Sequence, residues 1–268
     1  MSDHNRTEGS VTLSDASAWM AAWSEKISMD TLVITGGEPT LNPDLAEIIK
    51  SARQYWPDAH IKLVTNGEHF SEEVDPIAML KQVGNATLWV SCHWNIGPSF
   101  DLLQQRTWAL LNAHGKWKNN HPQVVDEVYL DLEQDSVSVK MAVYSNFVKT
   151  YNGATVLMRP WQSTDPVASH SVCASPKNPQ LYKNRLYKCP PIANLKDTLA
   201  LHNLLDNAHW QDYLAYQGYG IDDDLTPFVA DVGKPNAKTC TMCVEMRPLA
   251  QVPHYEISNV VRKDYHDN

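Results

Sequence analysis

No run in this chain approaches the roughly 18–20 unbroken apolar residues that a membrane-spanning helix needs. The opening residues, Met1-Ser-Asp-His-Asn-Arg-Thr-Glu-Gly9, lack the apolar core of a secretory signal, so a cytoplasmic location is expected. Positive charge is in deficit. Lys and Arg total 22 against 31 Asp and Glu, a formal charge of −9, which argues against a nucleic-acid partner. Cysteine is scarce too, at five in 268 residues, and an uneven number in a chain without a signal points to a reducing compartment rather than a disulfide scaffold. The eleven histidines show no ligand-like spacing such as His-x3-His. Internal repeats and low-complexity tracts are absent as well. What remains is ordinary globular composition, 43% hydrophobic and 20% charged.

The first 165 residues alternate strand-like and helix-like segments. Thr12-Leu-Ser-Asp15 resembles a capping box with Asp in place of Glu, and Trp19, Met20, Trp23 and Ile27 follow at helical spacing. Thr31-Leu-Val-Ile-Thr35 reads as a buried strand. Asn42-Pro43-Asp44 opens a helix in which Leu45, Ile48, Ile49 and Ala52 share a face. The cycle repeats. Ile61–Thr65 is a strand closed by Asn66-Gly67, Asp75-Pro76 starts a helix, Leu88–Cys92 is a strand, and Phe100–Leu111 is a helix. Val128–Leu132 and Val156–Arg159 read as further strands, and Ser136–Tyr151 is ambiguous. Strand starts about 27–40 residues apart suit βα units with right-handed crossovers, hence an α/β fold with a parallel sheet or a (β/α) barrel. After Pro166 the pattern gives way to a Pro-, Asn-, Tyr- and Cys-rich remainder with one clear helix, Leu195–Leu205. Two domains follow: residues 1–165 and a smaller module, 166–268.

One loop stands out. Gly36-Gly37-Glu38-Pro39 follows a strand and precedes a helix, at the carboxyl end of a strand, where parallel α/β folds bind ligands. Glycines let backbone approach a ligand closely and permit positive φ. Glu38 offers a carboxylate to an ammonium group, and Pro39 stiffens the exit. The plainer reading is a tight turn with a surface glutamate.

Taken in order, Thr31-Leu-Val-Ile-Thr-Gly-Gly-Glu-Pro-Thr-Leu-Asn-Pro-Asp-Leu45, Leu63-Val-Thr-Asn-Gly67 and Val90-Ser-Cys-His93 resemble the radical S-adenosylmethionine (SAM) superfamily over residues 10–160. The resemblance implies a partial TIM-like (β/α) barrel whose Gly36, Gly37, Glu38 and Pro39 line a SAM pocket, with Thr65, Asn66 and Ser91 at neighbouring strand ends. For Ser91 and His93 plain turn packing is the competing reading. The chain departs from that family in one respect: the Cys-x3-Cys-x2-Cys run that holds the catalytic [4Fe–4S] cluster is absent, as is the first barrel strand. We therefore expect either a truncated chain or a degenerate member. In the complete protein the resemblance implies reductive cleavage of SAM to a 5′-deoxyadenosyl radical, with electrons from a flavodoxin or ferredoxin. No catalytic residue and no substrate is named by this chain. The alternative is a non-catalytic scaffold.

Cys240-Thr-Met-Cys243 is a knuckle whose spacing lets two thiolates grip one metal or cluster. Cys173 and Cys189 are separated by 15 residues, and a hairpin turning at Lys183-Asn184-Arg185 could bring them together. Four thiolates suit an Fe–S cluster or zinc equally well by spacing. The stretch Leu186-Tyr-Lys-Cys-Pro190 also resembles the auxiliary-cluster modules, SPASM- or twitch-like, of many radical SAM enzymes. That resemblance implies an auxiliary [4Fe–4S] cluster on Cys173, Cys189, Cys240 and Cys243, with zinc or no metal as alternatives. Cys92, the fifth, reads as a buried apolar residue, and Asp222–Asp224 as a solvated loop. A barrel short of one strand would also leave an open edge.

Overall fold

The computed structural model describes residues 9–92, 98–119, 128–143, 146–148, 151–173, 175–245 and 251–253. His93 lies outside them. The chain forms two compact units, one spanning Ser10–Ser145 and the other made, among the described residues, of Gly9 and those from Asn146 to Pro253.

In the first unit Thr12 caps helix α1 (Leu13–Ser24) as its sequence predicts. Its hydroxyl accepts from Asp15 N at 3.1 Å and donates to the Asp15 carboxylate at 2.8 Å. Strand β1 (Thr31–Ile34) leads through a 3₁₀ turn at Pro39–Leu41 into α2 (Leu45–Tyr55). Asn42 does not cap that helix directly. Its side-chain oxygen accepts from Asp44 N at 2.9 Å, a local turn that delays the helix until Leu45. Then come β2 (His60–Thr65), α3 (Pro76–Val83) capped by Asp75, β3 (Ala86–Cys92) and α4 (Pro98–Ala113). The unit closes with β4 (Lys118–Asn119), β5 (Val128–Gln134) and β6 (Val137–Val143).

These strands make one six-stranded sheet in the order β1-β2-β3-β6-β5-β4. The first four are mutually parallel, so the mixed α/β class stands. Among the described residues the sheet is open, with β1 and β4 at its edges, and no barrel closes. The expectation that Val128–Leu132 continues the parallel series is corrected: β5 runs antiparallel to β6. Only Asp135 and Ser136 join the two strands, with Asp135 at φ 55°, and a two-residue turn cannot carry a crossover.

Because β1, β2, β3 and β6 step in one direction, right-handed connections put the helices on one side. Leu45, Ile49 and Ala52 of α2, Ile77 and Leu80 of α3, and Leu103, Leu110 and Leu111 of α4 bury against Ile61, Leu63, Leu88, Val90 and Val139. Cys92 lies in that core, as expected of a small apolar side chain.

The second unit begins with β7 (Asn146–Val148). The expected strand at Val156–Arg159 is instead a 3₁₀ turn, Thr155–Leu157, with Val156 and Leu157 exposed. Gly153 at φ 74° and Thr155 at φ 48° fold the segment back, so that only Arg159 pairs, with Asn152. After α5 (Pro166–Ser171) the hairpin β8 (Gln180–Tyr182) and β9 (Arg185–Tyr187) turns where the sequence places it, with Lys183 and Asn184 both at positive φ. Helices α6 (Pro190–Ala193), α7 (Leu195–Leu201), α8 (Gln211–Leu214) and α9 (Thr226–Asp231) follow. A 3₁₀ turn at Cys240–Met242 precedes β10 (Gln251–Pro253), which pairs antiparallel with β7. Tyr151, Met158, Leu195, Leu199, Trp210 and Met242 form this unit's own core. Among the described residues no helix is long and apolar enough to cross a membrane.

Candidate functional site

At the carboxyl end of β1, Thr35, Gly36 and Gly37 are exposed, whereas Pro39 and Thr40 are buried. The corner is open rather than packed shut. Neither Gly36 nor Gly37 takes positive φ, and a Cβ built on either would meet no atom of the described residues within 4 Å. The expectation that these glycines serve unusual torsions is corrected: nothing inside the fold requires glycine at either position.

Glu38 does something other than wait for an ammonium group. Its Oε1 accepts from Thr40 N at 3.0 Å, Thr40 Oγ1 at 2.5 Å and Thr65 Oγ1 at 2.6 Å, while Oε2 accepts from Asn66 N at 2.7 Å. Four donors from two strand ends converge on one carboxylate. Thr65 Oγ1 in turn accepts from Gly67 N at 3.0 Å. Glu38, Thr65 and Asn66 are thus brought together, with the carboxylate as the clamp between the ends of β1 and β2. Thr40 is a member the sequence reading missed; a hydroxyl two residues beyond a glutamate is the local pattern that signals it. Ser91, near the carboxyl end of β3, is 5% exposed, and its register places it on the sheet face opposite the helices.

The four late cysteines, all thiols, share the second unit. Cys189 and Cys243 pack against its core. Burial pushes the Cys189 thiol up to about 12, with Cys173 and Cys240 adding to the rise against donation from Ile192 N and the charge of Lys188. Burial also raises Cys243 well above its usual range, and Cys189, Cys173 and Cys240 each push in the same direction. Main-chain N–H groups face the sulfurs. Ser175 N donates to Cys173 Sγ and Asn236 N to Cys240 Sγ, each at 3.3 Å. Even so, no group of three or more His, Cys, Asp or Glu among the described residues is arranged to hold a metal ion. The thiols share a neighbourhood, not a coordination polyhedron. The donor chemistry still fits a thiophilic cation: clustered, half-buried sulfurs that disfavour one another's ionisation are relieved by a positive centre.

Around them, Lys188 is 5% exposed and donates to the carbonyls of Asp231 and Lys234 at 2.6 and 2.7 Å, fixing the residue beside Cys189. Ser169 Oγ on α5 donates to Cys243 O at 3.2 Å, tying the helix before Cys173 to the knuckle. The buried His170 Nε2 and Thr239 Oγ1, close in sequence to Cys173 and Cys240, have no hydrogen-bond partner among the described residues.

No protein-family model matches this chain, and no curated protein matches it.

Proposed function

We propose that this chain is a SAM-binding protein of the radical SAM kind, its open sheet part of a (β/α) barrel without the first strand. The observation that carries the reading is the Gly36-Gly37 corner. It stands exposed at the carboxyl end of a parallel strand, with glycine at two positions where the fold itself asks for none. A ligand that approaches the backbone closely accounts for both glycines. In this reading the carbonyl and amide groups of the corner meet the amino-acid tail of SAM. Glu38 holds the corner to Thr65 and Asn66, Pro39 anchors its exit, and Ser91 lies near the next strand end.

Cys173, Cys189, Cys240 and Cys243 would hold an auxiliary [4Fe–4S] cluster, with zinc as the alternative. Such a cluster supplies electron transfer or a ligation point for substrate. The residues around it keep the thiols together: Lys188 pins Cys189, and Ser169 pins Cys243. The setting is a reducing, cytoplasmic one. Radical chemistry on SAM requires three further thiolates in a Cys-x3-Cys-x2-Cys run, which this sequence does not contain. As it stands the chain should bind SAM without cleaving it. With that run present, a flavodoxin or ferredoxin would be the reductant.

Isothermal titration with SAM tests the corner. Wild type should bind at one site. Gly37→Val should bind at least tenfold more weakly while unfolding at an unchanged urea midpoint. SAM binding that is absent, or indifferent to bulk at residues 36 and 37, overturns the reading. Anaerobic purification tests the thiols: a brown protein with visible absorbance supports the cluster, colourless protein with one zinc supports the scaffold reading, and metal-free protein removes the metal site altogether.

A further inference from the structure

The segment that leads from α9 to Cys240 is tied to the neighbour of a second cysteine. Lys188, the residue before Cys189, is 5% exposed. Its ammonium meets the carbonyls of Asp231 and Lys234, and also Asp231 Oδ2 at 3.0 Å. The other oxygen of that carboxylate, Oδ1, accepts from Asn236 Nδ2 at 2.9 Å. Asn236 in turn wraps around Cys240. Its N–H donates to Cys240 Sγ at 3.3 Å, and its carbonyl accepts from Cys240 N at 2.8 Å. Its side-chain oxygen accepts from Lys238 N and Thr239 N at 2.8 and 3.1 Å. Between Asp231 and Asn236, Gly233 at φ 77° takes the chain past the loop that follows Cys173; a Cβ there would lie 3.5 Å from Lys177 Cγ. One carboxylate thus joins the neighbour of Cys189 to the residue that donates to Cys240.

Burying an ammonium against a carboxylate gains little stability, because desolvation offsets the attraction; what such a pair can supply is one fixed geometry. Thiol ligands need that, since partners outside the metal's own ligands hold them in place and orient them. Thr239, in the same turn and 3% exposed, carries a hydroxyl with no partner among the described residues, and a metal-bound sulfur is an acceptor of the kind it lacks. We propose that Asp231 and Asn236 are positioning residues of the four-cysteine site, holding Cys189 and Cys240 at the spacing that one metal centre requires. The inference rests on the metal reading of the thiols and adds to it two residues that do not themselves ligate.

The test titrates the full, reduced chain with Co²⁺ without oxygen and reads the thiolate-to-cobalt charge-transfer band and the visible bands of tetrahedral cobalt. Wild type should bind one Co²⁺ with the signature of four thiolates. Asp231→Asn keeps the size and removes the charge. It should weaken cobalt binding at least about tenfold and lower the charge-transfer intensity per bound metal. Asp231→Glu should restore most of both. Asn236→Asp keeps the acceptor for Lys238 N and Thr239 N, loses the donor to Asp231, and should behave as Asp231→Asn does. A purely structural role would lower the metal-free urea midpoint and leave the intensity per bound cobalt unchanged; that result overturns the proposal, as does wild-type cobalt affinity in Asp231→Asn. Wild type that shows no thiolate–cobalt bands overturns the metal reading itself, and this inference with it. Unaltered protein gives a signal free of any folding defect. The Asn236 main-chain amide faces a sulfur whose charge changes on metal binding, so its resonance should move as Zn²⁺ is added, and a stationary resonance overturns the proposal.

Discussion

At Glu38 one carboxylate accepts four hydrogen bonds, so its removal acts on stability before it acts on any ligand. Hydrogen bonds to a charged group contribute about 1.5–3 kcal/mol each and are not additive, so Glu38→Ala should destabilise by about 2–4 kcal/mol. Urea unfolding measures this; a loss below about 0.5 kcal/mol would show that the clamp is dispensable. The two glycines beside it behave in the opposite way. With ordinary φ and empty space at each Cβ, Gly36→Ala should leave the urea midpoint unchanged or raise stability by up to about 1 kcal/mol. Gly67 is a third case. Its φ of +73° and a Cβ position 2.6 Å from Leu103 Cδ1 mean that Gly67→Ala meets both strain and a clash, for a loss of about 1–3 kcal/mol by the same assay.

At the scale of elements, the β8–β9 hairpin is tied to α7 through Asp197, which accepts from Tyr182 Oη at 2.5 Å and from Lys183 Nζ at 2.7 and 2.9 Å. Partial burial would raise the Asp197 carboxyl, but the Lys183 and Tyr182 donors outweigh it and hold the group below the usual carboxylate range. A depressed folded-state value stabilises fully above the unfolded value, about 4, and the contribution fades as pH falls through the folded value. Asp197→Asn should therefore lower the urea midpoint at pH 7, and the difference from wild type should shrink below about pH 4. A constant difference from pH 7 to pH 3 would detach the hairpin's anchoring from this ion pair. How legible each element was depended on how local its cause is. Thr12 and Asp75 caps and the Lys183-Asn184 turn follow from neighbouring residues. Val156–Leu157 is β-branched and apolar yet forms no strand, because Gly153 and Thr155 bend the chain away from any partner.

At the scale of the whole molecule, each unit has a core of its own, one under α2, α3 and α4 and one around Tyr151, Trp210 and Met242. If the four cysteines hold a metal, as proposed, it should act on the second core, against which Cys189 and Cys243 pack. Hydrogen exchange with and without the metal should show added protection at Tyr187–Leu201 and at Cys240–Val244, and none in β1–β3. Protection spread evenly over both units, or none, would show that the thiols do not bind it as a set. Sequence by itself determined the βα rhythm through Cys92, the Thr12 and Asp75 caps and the hairpin turn, since periodicity and capping act over a few neighbours. Only the tertiary structure decided that β5 runs antiparallel and that Glu38 turns inward to Thr65 and Asn66. Those facts depend on strand order and register, which bring together residues tens of positions apart that no local pattern relates.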